Sequence, residues 1–234
     1  MKTAIMQPYF FPYIGYFQLV NTTDKFVFYD DVNFKKKGWI HRNNFLINKE
    51  TSLLSVPLKK ASQNKKINET FIHQENFKVW KEKFFKSIYQ NYKDSPHFDA
   101  TWELLQNFFS KDFDLISELS AESVKTVSKH LNINTNFLYS SYIEYKKEKS
   151  AEEKILNINS ILKTSKYYNL SGGKNLYNEE NFRKKNMELK FIESKEISYS
   201  QQTENFLPNL SIIDVLMYNS VSEIRAMLNN YRVL

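Results

Sequence analysis

The sequence predicts an α/β protein, doubly wound around a mainly parallel sheet, with a helical insertion over about residues 75–131 and helices at the C-terminus. Three observations predict it. Short runs of β-forming residues alternate with helical patterns at both ends of the chain. One long helical stretch interrupts that alternation. No cysteine framework, internal repeat or low-complexity linker offers a different organisation. Residues 1–234 are therefore expected to form one domain, with the insertion as its subdomain.

Residues 3–7 open as a strand that stops at Pro8, and a turn through Pro12 and Gly15 leads into a helix at 16–21. Residues 25–30, KFVFYD, are rich in β-formers and read as the second strand. Strand, short helix and strand in close order form a βαβ unit, which makes the sheet parallel. Residues 39–47, 52–57 and 67–72 are expected as further extended pieces. Over 75–92, Phe77, Trp80, Phe84, Ile88 and Tyr92 recur at steps of three and four, with Lys78, Lys81, Glu82 and Lys86 on the other face. Residues 98–109 and 113–131 read as two more helices, the latter burying Ile116, Leu119, Val124, Val127 and Leu131. The alternation then returns: strand 136–140, helix 151–162, strand 167–170 running into Ser171-Gly172-Gly173, short helix 179–185 and strand 188–192. Helices at 211–218 and 222–231 close the chain. Ligands of such sheets sit beyond the strand carboxyl ends, so loops 8–15 and 170–173 are expected to face the site.

Composition limits the chemistry. Hydrophobic residues make up 41% and aromatics 16%, ample for a substantial core. The absence of cysteine excludes disulfides, thiolate catalysis and cysteine-ligated zinc or iron–sulfur sites. Net charge is +7, yet of 33 basic residues only Arg42, Arg183, Arg225 and Arg232 are arginine. Base-edge readout leans on arginine's bidentate fork, so a solvated basic surface is favoured over a nucleic-acid partner. No apolar run approaches the roughly 18 residues of a membrane span. The apolar opening is broken by Gln7, Pro8 and Pro12 and lacks a small-residue cleavage site. A soluble, cytoplasmic protein acting on a small molecule is expected, with its oligomeric state left open.

The richest stretch runs from residue 5 to 43, where polar groups are set among rings in the manner of a cleft. The chain has only 4 glycines, where average usage would give roughly 16. They fall at Gly15, Gly38, Gly172 and Gly173, and are expected where the backbone turns left-handed or something approaches closely. Phe10, Phe11 and Phe17 read as core; Tyr13 and Tyr16 divide evenly between packing and ligand contact. Gln7 and Trp39 belong to the same aromatic and polar set. Asp30 and Asp31 follow a strand on opposite faces, so one can face a site as a general base while the other caps a turn. No residues at a metal-ligand spacing accompany them, so no metal site is expected. Lys35, Lys36 and Lys37 read mainly as a solvated run, from which Lys37, beside Gly38, Trp39, Arg42 and Asn43, is the one placed to hold phosphate. Ser171-Gly172-Gly173-Lys174 divides between a plain turn and an anion-binding loop. Asp214 follows Ser211 by three, which favours a capping box over a buried catalytic acid. Gln201 and Asn209 lie within reach of the cleft, though no local chemistry demands it.

The block MQPYFFPYIGYFQL and then FVFYDDVNFKKKGWIHRN resembles the WbqC-like family, whose members open QPYFFPYIGYFQL and continue YDDVQF and INRN. YYNLSGGKNLY and YSQQTENFLPNLSIIDVL are similar to that family's C-terminal signatures, so the resemblance spans almost the whole chain. His41 stands where the family usually has Asn, and Asn33 where it has Gln; Arg42 and Asn43 are ranked above His41 for that reason. The resemblance implies bacterial surface-polysaccharide, O-antigen or lipopolysaccharide biosynthesis, and a transferase passing an acyl or aminoacyl (glycine-type) group to an amino sugar. The substrate would be a sugar nucleotide or acyl donor, and no cofactor is named. In that reading Asp30 or Asp31 is the base. Lys37 and Arg42 neutralise phosphate, Tyr13 and Tyr16 shape the acceptor pocket, and backbone around Gly15 or Gly172–Gly173 meets the oxyanion. Two rivals remain. The turn Tyr13-Ile14-Gly15-Tyr16 resembles the start of nucleotidyltransferase-like ligases, with both of their HxGH histidines gone. A non-catalytic RNA- or glycan-binding module would also use basic and aromatic groups together.

Overall fold

The computed structural model describes residues 1–147 and 149–234. Its main sheet has six strands: β1 (Lys2–Met6), β2 (Lys25–Phe28), β5 (Asn136–Tyr139), β6 (Lys166–Leu170), β7 (Glu188–Ser194) and β8 (Tyr231–Val233), in the order β5-β2-β1-β6-β7-β8. All neighbours are parallel except β7 and β8. The chain thus builds outward from β1 through β2 to β5, then returns to β1's other side with β6 and β7. This is the doubly wound order, with its switch point between β1 and β6.

Alternation along the strands explains the two layers of helices. Ala4, Phe26, Phe28, Tyr168 and Ile192 face the larger core, shared with Phe17, Leu19 and Val20 of α1 (Ile14–Thr22). Their neighbours Ile5, Val27, Tyr167, Leu189 and Phe191 face the other way, onto α5 (Ala151–Ile161) and Phe182 of α6 (Glu179–Arg183). Strands buried on both faces need apolar residues at nearly every position, which is why KFVF and TAI read so clearly.

Between β2 and β5 lie a hairpin and three helices. β3 (Arg42–Ile47) and β4 (Glu50–Ser55) form a separate two-stranded antiparallel sheet. Asn48 and Lys49 both take φ above +50° at its turn, as a tight hairpin twist requires. α2 (Gln74–Tyr92), α3 (Phe98–Phe109) and α4 (Ile116–His130) follow, contributing Phe84, Ile88, Leu105, Phe108, Leu119 and Val124 to the larger core. α7 (Ile212–Tyr218) and α8 (Val221–Met227) complete it. Among the described residues no helix is long and apolar enough to cross a membrane.

Two expected elements differ. Within 67–72, Ile67–Glu69 is a single 3-10 turn, and Ile72 makes only an isolated bridge to Leu58. The helix expected over 222–231 stops at Met227, and the chain doubles back as edge strand β8. Leu234 and Phe191 exchange both backbone hydrogen bonds there, and Arg232 pairs with Glu193. The ladder outweighs the weak helix propensity of Asn229-Asn230-Tyr231.

Candidate functional site

The loop between β1 and α1 is pinned by side chains from three other elements. Phe11 has φ 40°, a conformation that a bulky residue adopts only when its surroundings impose it. Three side chains from three elements do so. Asn43 Nδ2 of β3 donates to the carbonyls of Phe10 (3.1 Å) and Phe11 (2.6 Å). Ser211 Oγ, at the start of α7, donates to the same Phe11 carbonyl at 2.8 Å. Ser123 Oγ of α4 accepts the Phe11 N–H at 2.9 Å. The buried Phe11 ring packs edge-on to Phe108, with centroids 4.9 Å apart. Such strain costs about 1–3 kcal/mol, and it fixes the residues on either side.

Those residues line a cleft of about 320 Å³, walled by Tyr9, Pro12, Tyr13, Trp39, Asn43, Asn44 and Asn209. The wall is entirely uncharged. The hydroxyls of Tyr9 and Tyr13 and the amide groups of Asn44 and Asn209 make no side-chain hydrogen bond to described residues, whereas Asn43 is spent on the loop. Burial pushes the Tyr9 phenol above its usual range, and burial followed by Tyr9 does the same to Tyr13, so both stay protonated donors. Gly15 marks a close approach, since a Cβ at that position would come within 2.4 Å of the Tyr13 ring and displace it. No glycine has positive φ. The left-handed turns expected of glycine are made instead by Phe11, Asn209 and other non-glycine residues.

The paired aspartates form a second centre at the same sheet edge. Asp30 and Asp31 follow β2 with only 3% and 8% exposure. Asp30 Oδ1 accepts from the Ser141 N–H at 3.0 Å and its Oδ2 from Ser141 Oγ at 2.7 Å, with Ser140 Oγ 3.0 Å from Oδ1. Asp31 Oδ1 accepts from Ser140 Oγ and from Tyr145 Oη at 2.9 Å. Lys147 Nζ lies 3.0 Å from Asp31 Oδ2, an ion pair without the direction of a hydrogen bond. Burial pushes Asp31 up, but the hydrogen bonds from Ser140 and Tyr145, with the close contact and charge of Lys147, outweigh it and hold the carboxyl below its usual range. A hollow of about 750 Å³, lined among others by Ser141, Tyr142, Tyr145 and Lys147, opens beside this centre.

The remaining candidates divide between these places. Trp39, Tyr13 and Asn43 meet at the cleft. Tyr16 is fully buried and donates to the Gln7 carbonyl at 2.9 Å; Gln7's own amide makes no hydrogen bond to described residues and stands half-buried at the end of β1. Gly172 and Gly173 lie in a 3-10 turn (Ser171–Leu176) directly after β6, across the switch point from Gln7. Lys37 is exposed, and Arg42 Nε donates to the Gly38 carbonyl at 3.0 Å; neither lines the cleft. His41 is pushed down to about 4 by burial and then by Arg42, so its ring is neutral against Phe34.

Asp214 departs from the capping reading. Ser211 does cap α7, but its N–H goes to the Asn44 carbonyl, and the Asp214 carboxylate looks inward. It accepts from Tyr92 Oη, Tyr199 Oη and Gln201 Nε2. Gln201 also bonds both backbone groups of Leu207, which holds the strap that carries Asn209 to the cleft. Sequence reasoning passed over Pro12, Asn44, Ser140, Ser141, Tyr145 and Lys147. Asn44 had a signal, its place one step beyond Asn43, whereas Ser140 and Tyr145 reach Asp31 only through the β2–β5 pairing.

Comparison with known proteins adds a frame. The profile described as "WbqC-like protein family" matches residues 7–226. A protein of Mycobacterium tuberculosis (strain ATCC 25618 / H37Rv), described as "Uncharacterized protein Rv1507c", is 25% identical over 219 residues, 92% of this chain and 92% of its own. No solved structure matches the chain.

Proposed function

Because the chain belongs to the WbqC-like protein family, we propose that it is an enzyme of surface-polysaccharide assembly that transfers an acyl or aminoacyl group to an amino sugar. The observation that carries the reading is the uncharged aromatic and amide cleft held rigidly at the carboxyl edge of a parallel sheet. In this reading the cleft seats the acceptor with its amine in the neutral form that attacks. Gln7 and the Gly172–Gly173 turn flank the switch point where the donor enters, and Lys37 and Arg42 supply positive charge to its phosphates. Acyl transfer needs the acceptor amine deprotonated and an oxyanion stabilised. Asp31, held ionised beside Lys147, is a weak base near neutrality; Asp30 is the aspartate assigned to proton transfer.

The test is direct. The purified protein is incubated with nucleotide-linked amino sugars and acyl or aminoacyl donors, products are weighed by mass spectrometry, and melting temperatures are recorded for each compound. A sugar nucleotide or acyl donor that raises the melting temperature and yields an acylated sugar, with Asp30→Asn folded but inactive, is the expected result. Strand order favours a second reading, nucleotidyl transfer or ATP-dependent ligation, since the loops after β1 and β6 meet where nucleotides bind in such sheets. Pyrophosphate released from ATP with an amino acid present, and no response to any sugar nucleotide, would replace the first reading with this one.

A further inference from the structure

We propose that the cleft beside Phe11 is a subsite for a single uncharged sugar ring, stacked on Trp39 and hydrogen-bonded by Tyr9, Tyr13, Asn44 and Asn209. This deepens the proposed function and rests on it for the choice of sugar over other ring compounds.

Three features carry the assignment. The first is Trp39, which is 42% exposed and stacks on no other ring among the described residues. The other two tryptophans are locked into aromatic clusters: Trp80 lies on Phe77 and Phe84, and Trp102 on Phe98. A free indole face attracts the slightly positive C–H edges of a sugar ring as it does the edges of aromatic rings. The second is the rim. Two protonated phenols can donate or accept, and two carboxamides offer both a donor and an acceptor. That set matches the several hydroxyls around a pyranose better than the two or three edge groups of a base. The third is size and charge. About 320 Å³ is the lower end of the roughly 300–1,000 Å³ range of ligand pockets, room for one ring rather than a nucleotide. No acidic or basic side chain lines the cleft, so a carboxylated sugar would bury its charge unpaired.

The clamp on Phe11 gives this subsite its rigidity. Tyr9 and Tyr13 sit two residues to either side of the left-handed residue, and Asn209 is itself left-handed at φ 58°. A wall whose backbone is pinned in this way orders few main-chain groups on binding.

Saturation-transfer NMR with N-acetylglucosamine, glucuronic acid and uridine as probes tests the assignment. N-acetylglucosamine should bind the wild type, and Trp39→Ala should weaken it by about tenfold while the melting curve stays unchanged. Trp39→Phe, which keeps a ring, should recover most of that loss. Glucuronic acid should bind at least about tenfold more weakly, and uridine not measurably. Uridine binding that depends on Trp39 would make the cleft a base subsite, and equal binding of the acidic sugar would remove the charge argument; either overturns the proposal. So does N-acetylglucosamine binding that Trp39→Ala leaves intact. If nucleotide-linked amino sugars are acylated equally by wild type and Trp39→Ala, the enzymatic reading survives and the subsite falls. If the sugar binds at Trp39 but no transfer is detected, the subsite stands and the enzymatic reading falls.

Discussion

Replacing Asp214 by asparagine is expected to cost far more stability than one exchanged atom suggests. The carboxylate is 0% exposed and accepts from Tyr92 Oη at 2.9 Å, Tyr199 Oη at 2.6 Å and Gln201 Nε2 at 2.8 Å. All three partners are donors, and Tyr92 Oη already accepts the Leu46 N–H at 3.0 Å, so its proton has no second use. An amide must turn its NH₂ one way or the other. Toward Tyr92 it removes that phenol's acceptor; toward Tyr199 and Gln201 it sets donor against donor. A hydrogen bond to a charged acceptor is worth about 1.5–3 kcal/mol and an orphaned buried donor costs about 1–3. The neutral amide recovers part of this, because it carries no charge to desolvate. A net loss of about 2–3 kcal/mol remains, which for a chain of this length lowers Tm by about 4–12 °C. Burial raises the Asp214 pKa against the three hydrogen bonds that lower it. A carboxyl raised in the folded state contributes stability that is full below the usual carboxylate range and is lost as pH rises through the folded value. The gap between wild type and Asp214→Asn should therefore widen as pH falls from neutral toward 4. Urea denaturation at several pH values measures it. A variant within about 0.5 kcal/mol of wild type throughout, or a gap that narrows on acidification, would falsify this account of the buried acid.

Asp31→Asn should behave with the opposite sign. Its folded pKa is lowered, so its contribution is present above the usual carboxylate range and lost as pH falls through the folded value; the same urea series should show its gap closing in acid. His41, pushed down to about 4, contributes stability above about 6.5 that is lost as pH falls toward the folded value. A proton NMR titration should place its midpoint near 4, and a midpoint near the ordinary histidine value would mean that the ring is solvated. Gly15→Ala should displace the Tyr13 ring and weaken N-acetylglucosamine binding several-fold, with Tm changed by only a few degrees because alanine gains about 1 kcal/mol in a helix. Gly172→Ala, whose Cβ would meet nothing within 4 Å, should leave both unchanged; a loss of binding there would show a ligand lying against the turn.

What was legible in the sequence, and what was not, follows from the range of the forces involved. KFVFYD and the spacing of Phe77, Trp80, Phe84 and Ile88 announce a strand and a helix because each pattern is local. The loops at the sheet edge were legible too, since a doubly wound order fixes where they emerge. β8 was hidden because its three residues pair only with β7, about forty positions away, and nothing in Tyr231-Arg232-Val233 alone ends a helix. The strain at Phe11 had no signal at all, since phenylalanine is among the last residues expected at positive φ and its clamp comes from Asn43, Ser123 and Ser211 together. Asp214 was misread because the Ser-x-x-Asp spacing is also found where the acid turns inward.

The placement of β1 has a consequence for how the protein is made. Its residues are made before every other strand of the sheet, yet they occupy its middle, hydrogen-bonded on one side to β2 and on the other to β6, which is synthesised about 160 residues later. Thr3 is further tied to Asn159 and Thr164, and the amino terminus to Ser165. During elongation one margin of β1 stays open until β6 is made, an invitation to mispair. Translation pauses or chaperone occupancy ahead of residue 166 should therefore govern the yield of native protein more than any event near the cleft.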